Sequence, residues 1–188
     1  EETWLSRRNR PVVPRLNYSN LNRLILSPLD HQMRFFEAYD TIKQQNDLLG
    51  LLLAGAAGSG KTLTAIFTAE MLDADTVIVV SPNNALERVW GATLESAFHN
   101  PPSFWINKSG VPFTGKEKYL IVNYEFLGTL IKEFRKISYK RIAIILDESH
   151  NFNEITSLRT ELFLELCTMS GSEDIIWLSG TPIKALAA

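Results

Sequence analysis

A single cysteine, Cys167, occurs in the 188 residues. That excludes a disulfide framework within the chain and favours a reducing compartment. Cys167 lies in an apolar, helix-like run with Leu162, Phe163 and Leu166, where a thiol serves as a small core hydrophobe. No apolar run approaches the roughly 20 residues of a membrane span, so no membrane partner is expected. The first ten residues are polar and arginine-rich with no apolar stretch behind them, so no signal peptide is visible there. An excess of one charge is also lacking: 19 basic residues face 21 acidic ones, a net charge of −2. The overall field therefore does not advertise nucleic-acid binding, although a basic groove on a near-neutral domain remains open. Two local basic clusters exist, Arg7, Arg8, Arg10 and Arg15, then Lys132, Arg135, Lys136, Lys140 and Arg141. Each also reads as a solvated face. Internal repeats and low-complexity tracts are absent.

What is present is an alternation. Residues 1–27 carry few periodic signals and several breakers (Pro11, Pro14, and Pro28 just beyond), and read as an extended N-terminal segment. Residues 28–188 read as one domain. Positions 29–46 have helical spacing through Met33, Phe36 and Ile42. Leu48–Ala54 is a continuous apolar run, the pattern of a strand buried on both faces. A Gly-rich turn and a helix over Lys61–Leu72 follow. Thr76–Val80, Tyr119–Val122, Ile142–Leu146 and Asp174–Leu178 read as further strands. Ala85–Phe98, Phe126–Lys136 and Leu158–Met169 read as helices. Residues 99–117 hold Pro101, Pro102, Gly110, Pro112 and Gly115, and read as a loop or short hairpin; Phe104 and Trp105 within it are open as base-stacking residues. Trp90 sits on an apolar helix face and reads as core. Strand–helix repetition with apolar strands predicts an α/β fold, a parallel sheet with helices on both faces.

Gly55-Ala-Ala-Gly-Ser-Gly-Lys-Thr62 fits the pattern G-x-x-x-x-G-K-[ST] between a buried strand and a helix. Glycines at 55, 58 and 60 allow a phosphate to approach the backbone and supply the dihedrals this requires. Backbone N–H groups of the loop, Ser59 among them, then point at phosphate oxygens, backed by the helix N-terminus. Lys61 adds a positive charge at the β- and γ-phosphates, and Thr62 offers a hydroxyl to Mg²⁺. ATP and Mg²⁺ are the implied cofactors. Ile142–Leu146 runs into Asp147-Glu148, and a carboxylate at the C-terminal end of a parallel strand stands at the rim where such folds bind ligands. Asp147 is the candidate metal ligand. Glu148 is the candidate for orienting and deprotonating the attacking water.

Asp147-Glu148-Ser149-His150 resembles motif II of the DExH branch of superfamily 2 helicases and translocases. Ser179-Gly180-Thr181-Pro182 resembles their motif III in the form typical of Swi/Snf-like ATPases. Val79-Val80-Ser81-Pro82 with Trp90 is similar to motif Ia, and Val122-Asn123-Tyr124-Glu125 to motif Ib. Leu29-Asp30-His31-Gln32 is similar to the segment whose glutamine reads adenine. The matches run in the family's order over residues 29–182, most like the compact phage and bacterial Swi/Snf-related ATPases. The phosphate loop lacks the acidic residue and the Met or Leu usual in chromatin remodellers, and Asn153 stands where many relatives have a lysine.

The resemblance implies a RecA-like lobe and a set of roles. Gln32 would bond the adenine edge. His150 would pass the state of the γ-phosphate to Ser179 and Thr181. Ser81, Asn84, Asn123 and Tyr124 would touch a nucleic-acid backbone, DNA rather than RNA, without reading sequence. It also implies a second RecA-like lobe bearing arginine fingers. The chain begins at Glu1 rather than Met and ends just past motif III, so a piece of a longer protein, weak in hydrolysis by itself, is expected. A bacterial or phage-infected cytoplasm is the expected compartment, or a nucleus in a eukaryote. A double-stranded DNA translocase leads; a strand-separating DExH helicase on DNA or RNA and a nucleotide-switched interaction module without motor activity stay open.

Overall fold

The computed structural model describes residues 13–46, 48–55, 60–108, 110–147 and 157–179. Its centre is a sheet of six strands: β1 (Gly50–Ala54), β2 (Thr76–Val80), β3 (Phe104–Ile106), β4 (Tyr119–Val122), β5 (Ile142–Asp147) and β6 (Asp174–Ser179). The order is β1-β6-β5-β2-β4-β3, and every pair is parallel. The main helices are α1 (Asp30–Gln45), α2 (Lys61–Leu72), α3 (Ala92–Ser96), α4 (Leu127–Lys132) and α5 (Ser157–Ser170).

Period-two alternation sorts the strand residues between two faces. Val77, Val79, Tyr119, Ile121, Ala143, Ile145, Ile176 and Leu178 pack with α1 and α2, through Phe36, Tyr39, Ile66, Phe67 and Met71. Ile78, Val80, Leu120, Val122, Ile144 and Leu146 pack on the other face with Leu127 and Leu130 of α4 and Phe163 and Leu166 of α5. Between their end residues the central strands are therefore apolar at successive positions, because both faces are covered. Among the described residues, no helix is long and apolar enough to cross a membrane. Cys167 lies half-buried on α5, and burial pushes its thiol up to about 11, so it stays protonated at neutral pH.

Four expectations change. β1 is not buried on both faces: it is an edge strand paired only with β6 among the described residues, and Leu52 is 43% exposed. The proline-rich stretch contains a sixth strand, β3, because Phe104–Ile106 pairs with Tyr119–Ile121. There the Trp105 ring packs against Phe113 and Phe126, and its indole N–H donates to the Val111 carbonyl, so it is engaged within the fold. The Ala85–Phe98 helix is composite: a π turn over Leu86–Gly91 precedes α3. Finally, the described part of the N-terminal segment is not simply extended. Tyr18–Arg23 forms a 3-10 helix, capped by Asn17, and Leu16 and Leu24 enter the core.

Of the two basic clusters, Arg7, Arg8 and Arg10 lie outside the described residues, and several of the described members find partners within the fold. Arg15 donates through two nitrogens to Asp174 at 2.8 and 2.7 Å, and Tyr39 adds its hydroxyl to the same carboxylate at 2.8 Å. Burial and the Asp174 charge hold that hydroxyl far above its ordinary range. Lys136 and Lys140 donate to the carbonyls of Phe113 and Gly115, and Arg141 to those of Leu72 and Asp73. These cations cap chain ends and carbonyls of this fold.

One glycine sets the approach of β1 to β6. A Cβ on Gly50 would lie 1.8 Å from the Ile175 carbonyl oxygen, so only a residue without one fits. Gly50→Ala is expected to cost about 1–3 kcal/mol by overpacking. Chemical denaturation of the variant beside the parent measures it; an unchanged midpoint would contradict the close pairing.

Candidate nucleotide site

In an all-parallel sheet the strands end on one edge, and loops that leave them share it. β1 ends at Ala54 and leads into Gly55. β5 ends at Asp147. β6 lies between them, with Ala54 level with Ser179 and Leu178 level with Asp147. Two interstrand spacings, roughly 10 Å, therefore separate the start of the phosphate loop from the carboxylate. The Gly55 amide N–H donates to the Ser179 carbonyl at 3.3 Å, which ties the loop's first residue to the end of β6.

The far end of the loop is fixed by Gly60. It precedes α2 with φ +80°, the left-handed region that favours glycine. Lys61 and Thr62 follow, half-buried in the first turn of α2. Lys61 Nζ donates to the Gly55 carbonyl at 2.5 Å, so its charge lies over the loop's entrance. Gly58 and Ser59 fall outside the described residues, as do Glu148, His150 and Thr181.

Gln32 departs from expectation. It is buried, its Oε1 accepts from the Leu29 amide at 2.8 Å, and its Nε2 donates to Thr64 Oγ1 at 2.9 Å and to the Gly60 carbonyl at 3.3 Å. Both ends of the amide are engaged within the fold. Gln32 instead braces the start of α1 against the start of α2. A Cβ at Gly60 would meet this same Nε2 at 3.1 Å.

Two of the expected nucleic-acid contacts also turn inward. Ser81 is fully buried, and its hydroxyl donates to Asp147 Oδ2 at 3.1 Å. Tyr124 is buried, and its hydroxyl donates to the Asp147 carbonyl at 2.7 Å. Asn123 is half-buried, caps the turn after β4 by accepting from Phe126 N, and donates through its side chain to Asn83. Asn84 is exposed on the same edge. Ser179 is fully buried at the end of β6. Trp90, expected in the core, is there with no exposed surface, but its indole N–H also donates to Asp147 Oδ2 at 3.0 Å. Helical spacing cannot show that bond. The available signal was chemical: a buried indole needs an acceptor.

Asp147 and Thr62 are the hard oxygen donors that a Mg²⁺–phosphate site takes. Among the described residues, the side-chain hydrogen bonds to the Asp147 carboxylate fall on Oδ2.

The sequence profile of the family described as type III restriction enzyme, res subunit, matches residues 25–184. The chain belongs to this family. No curated protein matches it. Among solved structures, the chain is similar to the Sulfolobus solfataricus SWI2/SNF2 ATPase core in complex with dsDNA, at 21% identity and a TM-score of 0.63, over 87% of this chain and 34% of that one. It is likewise similar to the Sulfolobus solfataricus SWI2/SNF2 ATPase core domain, again at 21% identity and a TM-score of 0.63, over 93% of this chain and 37% of that one. These likenesses establish the RecA-like α/β fold. The chain spans about a third of the length of the structures it matches.

Gln32→Ala removes bonds from buried partners and is expected to lower stability by about 1–3 kcal/mol, while leaving the preference for ATP over GTP unchanged. Paired nucleotide titrations and denaturation curves check both halves. A lost preference without lost stability would return Gln32 to the adenine edge.

Proposed function

We propose that this chain is the ATP-binding lobe of a nucleic-acid motor, of the type that translocates on double-stranded DNA. The observation that carries the proposal is the placement of Lys61 and Thr62, at the start of α2, on the same sheet edge as Asp147 and one intervening strand away. That spacing suits a triphosphate held at one end by a helix N-terminus and at the other by a metal-binding carboxylate. Family membership and the RecA-like fold support it. The double-stranded DNA in one similar structure supports the choice of nucleic acid.

In this reading Lys61 leaves the Gly55 carbonyl and holds its charge at the β- and γ-phosphates. The Thr62 hydroxyl and the Asp147 carboxylate would hold Mg²⁺. When bound, Mg²⁺ offsets the charge that develops on the transferred phosphoryl group. Glu148 orients the attacking water and accepts its proton. His150, Ser179 and Thr181 relay the state of the γ-phosphate, and Asn84 with its neighbours after β2 meets the nucleic-acid backbone. A second RecA-like lobe supplies the arginine that such chemistry needs, worth about 10³–10⁵ in rate in other phosphoryl-transfer systems.

Lys61→Ala is expected to weaken binding of a fluorescent ATP analogue by about tenfold or more, since it removes a charge-assisted phosphate contact. Unchanged affinity would sink the phosphate-loop assignment. Joined to a second lobe, the ATPase is expected to respond more to duplex DNA than to single strands. A stronger response to single strands, with strand separation, would favour a helicase instead. Tight binding with no turnover under any condition would favour a nucleotide switch.

A further inference from the structure

Asp147 is held by donors from three separate segments. Ser81 Oγ reaches Oδ2 at 3.1 Å from the residue after β2. Trp90 Nε1 reaches the same oxygen at 3.0 Å from the π turn Leu86–Gly91. Tyr124 Oη reaches the main-chain carbonyl at 2.7 Å from the 3-10 turn after β4. Ser81 and Trp90 have no exposed surface, so both donors are shielded from water. The indole has one polar group, a donor, and an acceptor-only carboxylate oxygen satisfies it. π turns of this kind recur at functional sites, where they reset the register of the residues that follow.

The chain between Ser81 and the π turn of Trp90 reaches the surface. Asn83 and Asn84 are exposed, and Asn123 Nδ2 donates to Asn83 Oδ1 at 3.2 Å, which joins this loop to the turn that carries Tyr124. Ser81 N–H also donates to the Val122 carbonyl at 2.9 Å and extends the β2–β4 pairing by one residue. Hydrogen bonds, joined by the main chain between Val122 and Asn123, therefore link exposed Asn83 to the carboxylate at the end of β5, and Asn84 is the next residue along.

We propose that Ser81 and Trp90 are positioning residues for the metal-binding carboxylate. Together they hold Oδ2 of Asp147, leave Oδ1 as the oxygen for Mg²⁺, and make the orientation of that carboxylate depend on the exposed loop after β2. The proposal rests on the reading of Asp147 as a Mg²⁺ ligand in an ATP site. It gives the loop a function distinct from touching a ligand: displacement of Asn83 or Asn84 is transmitted through Ser81 and Trp90 to the metal ligand. Partners of this kind that orient metal ligands alter metal affinity by about 10–100-fold when removed.

The test uses this chain labelled with ¹⁵N at the tryptophan indoles. The Trp90 N–H resonance is the one lost in Trp90→Phe, and the Trp105 resonance, whose donor bonds the Val111 carbonyl, reports that the fold is intact. In Asp147→Ala the Trp90 resonance is expected to move while that of Trp105 stays. In the parent, the β,γ-imido analogue of ATP is expected to shift Trp90 with Mg²⁺ and not with EDTA. Trp90→Phe and Ser81→Ala are expected to raise the Mg²⁺ concentration needed for half-maximal analogue binding by about tenfold. Ser81→Ala carries this arm by itself if Trp90→Phe does not fold. A Trp90 resonance indifferent to Asp147→Ala and to Mg²⁺, with an unchanged Mg²⁺ requirement in Ser81→Ala, overturns the positioning role and leaves the ATP site standing. Failure of the parent to bind the analogue at all overturns both.

Discussion

Strand β6 lies between the strand that leads into the phosphate loop and the strand that ends in Asp147, and the spacing of the candidate site follows from that insertion. β6 supplies hydrogen bonds to both neighbours and none of the groups that would meet ATP. Its insertion sets the loop and the carboxylate two strand spacings apart, a separation the side chains could not impose themselves. The pairing is tight because Gly50 presents no Cβ to Ile175, and it continues past the strand through the bond from Gly55 to Ser179. The opposite end of β6 is held as firmly. Asp174 gathers Arg15 and Tyr39 around its carboxylate, and Lys43 stands 3.5 Å away. A buried carboxylate is tolerated there because its charge is matched and its oxygens are bonded.

Much of this was legible in the sequence for physical reasons. Apolar strands without alternation announce a sheet covered on both sides. The phosphate loop is legible because close approach of a phosphate restricts residue choice at several positions at once. The features that escaped depend on partners distant in the chain. Phe104–Ile106 is short and flanked by prolines, so its composition resembles a loop until β4 is beside it. Leu48–Ala54 is apolar enough for a central strand, yet it sits at an edge, and composition does not record position within a sheet. Gln32 and Arg15 look available for ligands because both residue types often are, and the sequence does not show Thr64 or Asp174 waiting for them.

The polar residues after β2 and β4 carry a related lesson. Small hydroxyl and phenol groups at a strand end suit phosphate contact, and equally suit holding a neighbouring carboxylate. Burial decides between the two: Ser81 and Tyr124 are inside, while Asn84 is outside. The same loop therefore contains an inward row that meets Asp147 and an outward row that faces solvent. Such an arrangement joins the surface to Asp147 through bonds that each span only one pair of adjacent segments.

The pairing of β1 also has a temporal consequence. Its residues leave the ribosome before the other described strands, yet their strand partner among the described residues is β6, with Gly50 opposite Ile175. Contacts so distant in sequence form late, since the intervening chain must be ordered first. β2, β4 and β5 can pair and gather their helices while the phosphate-loop strand still lacks its neighbour. β6, the last of the described strands to emerge, is then the one that brings the loop into line with Asp147, so during synthesis these two meet after the scaffold beneath them has formed.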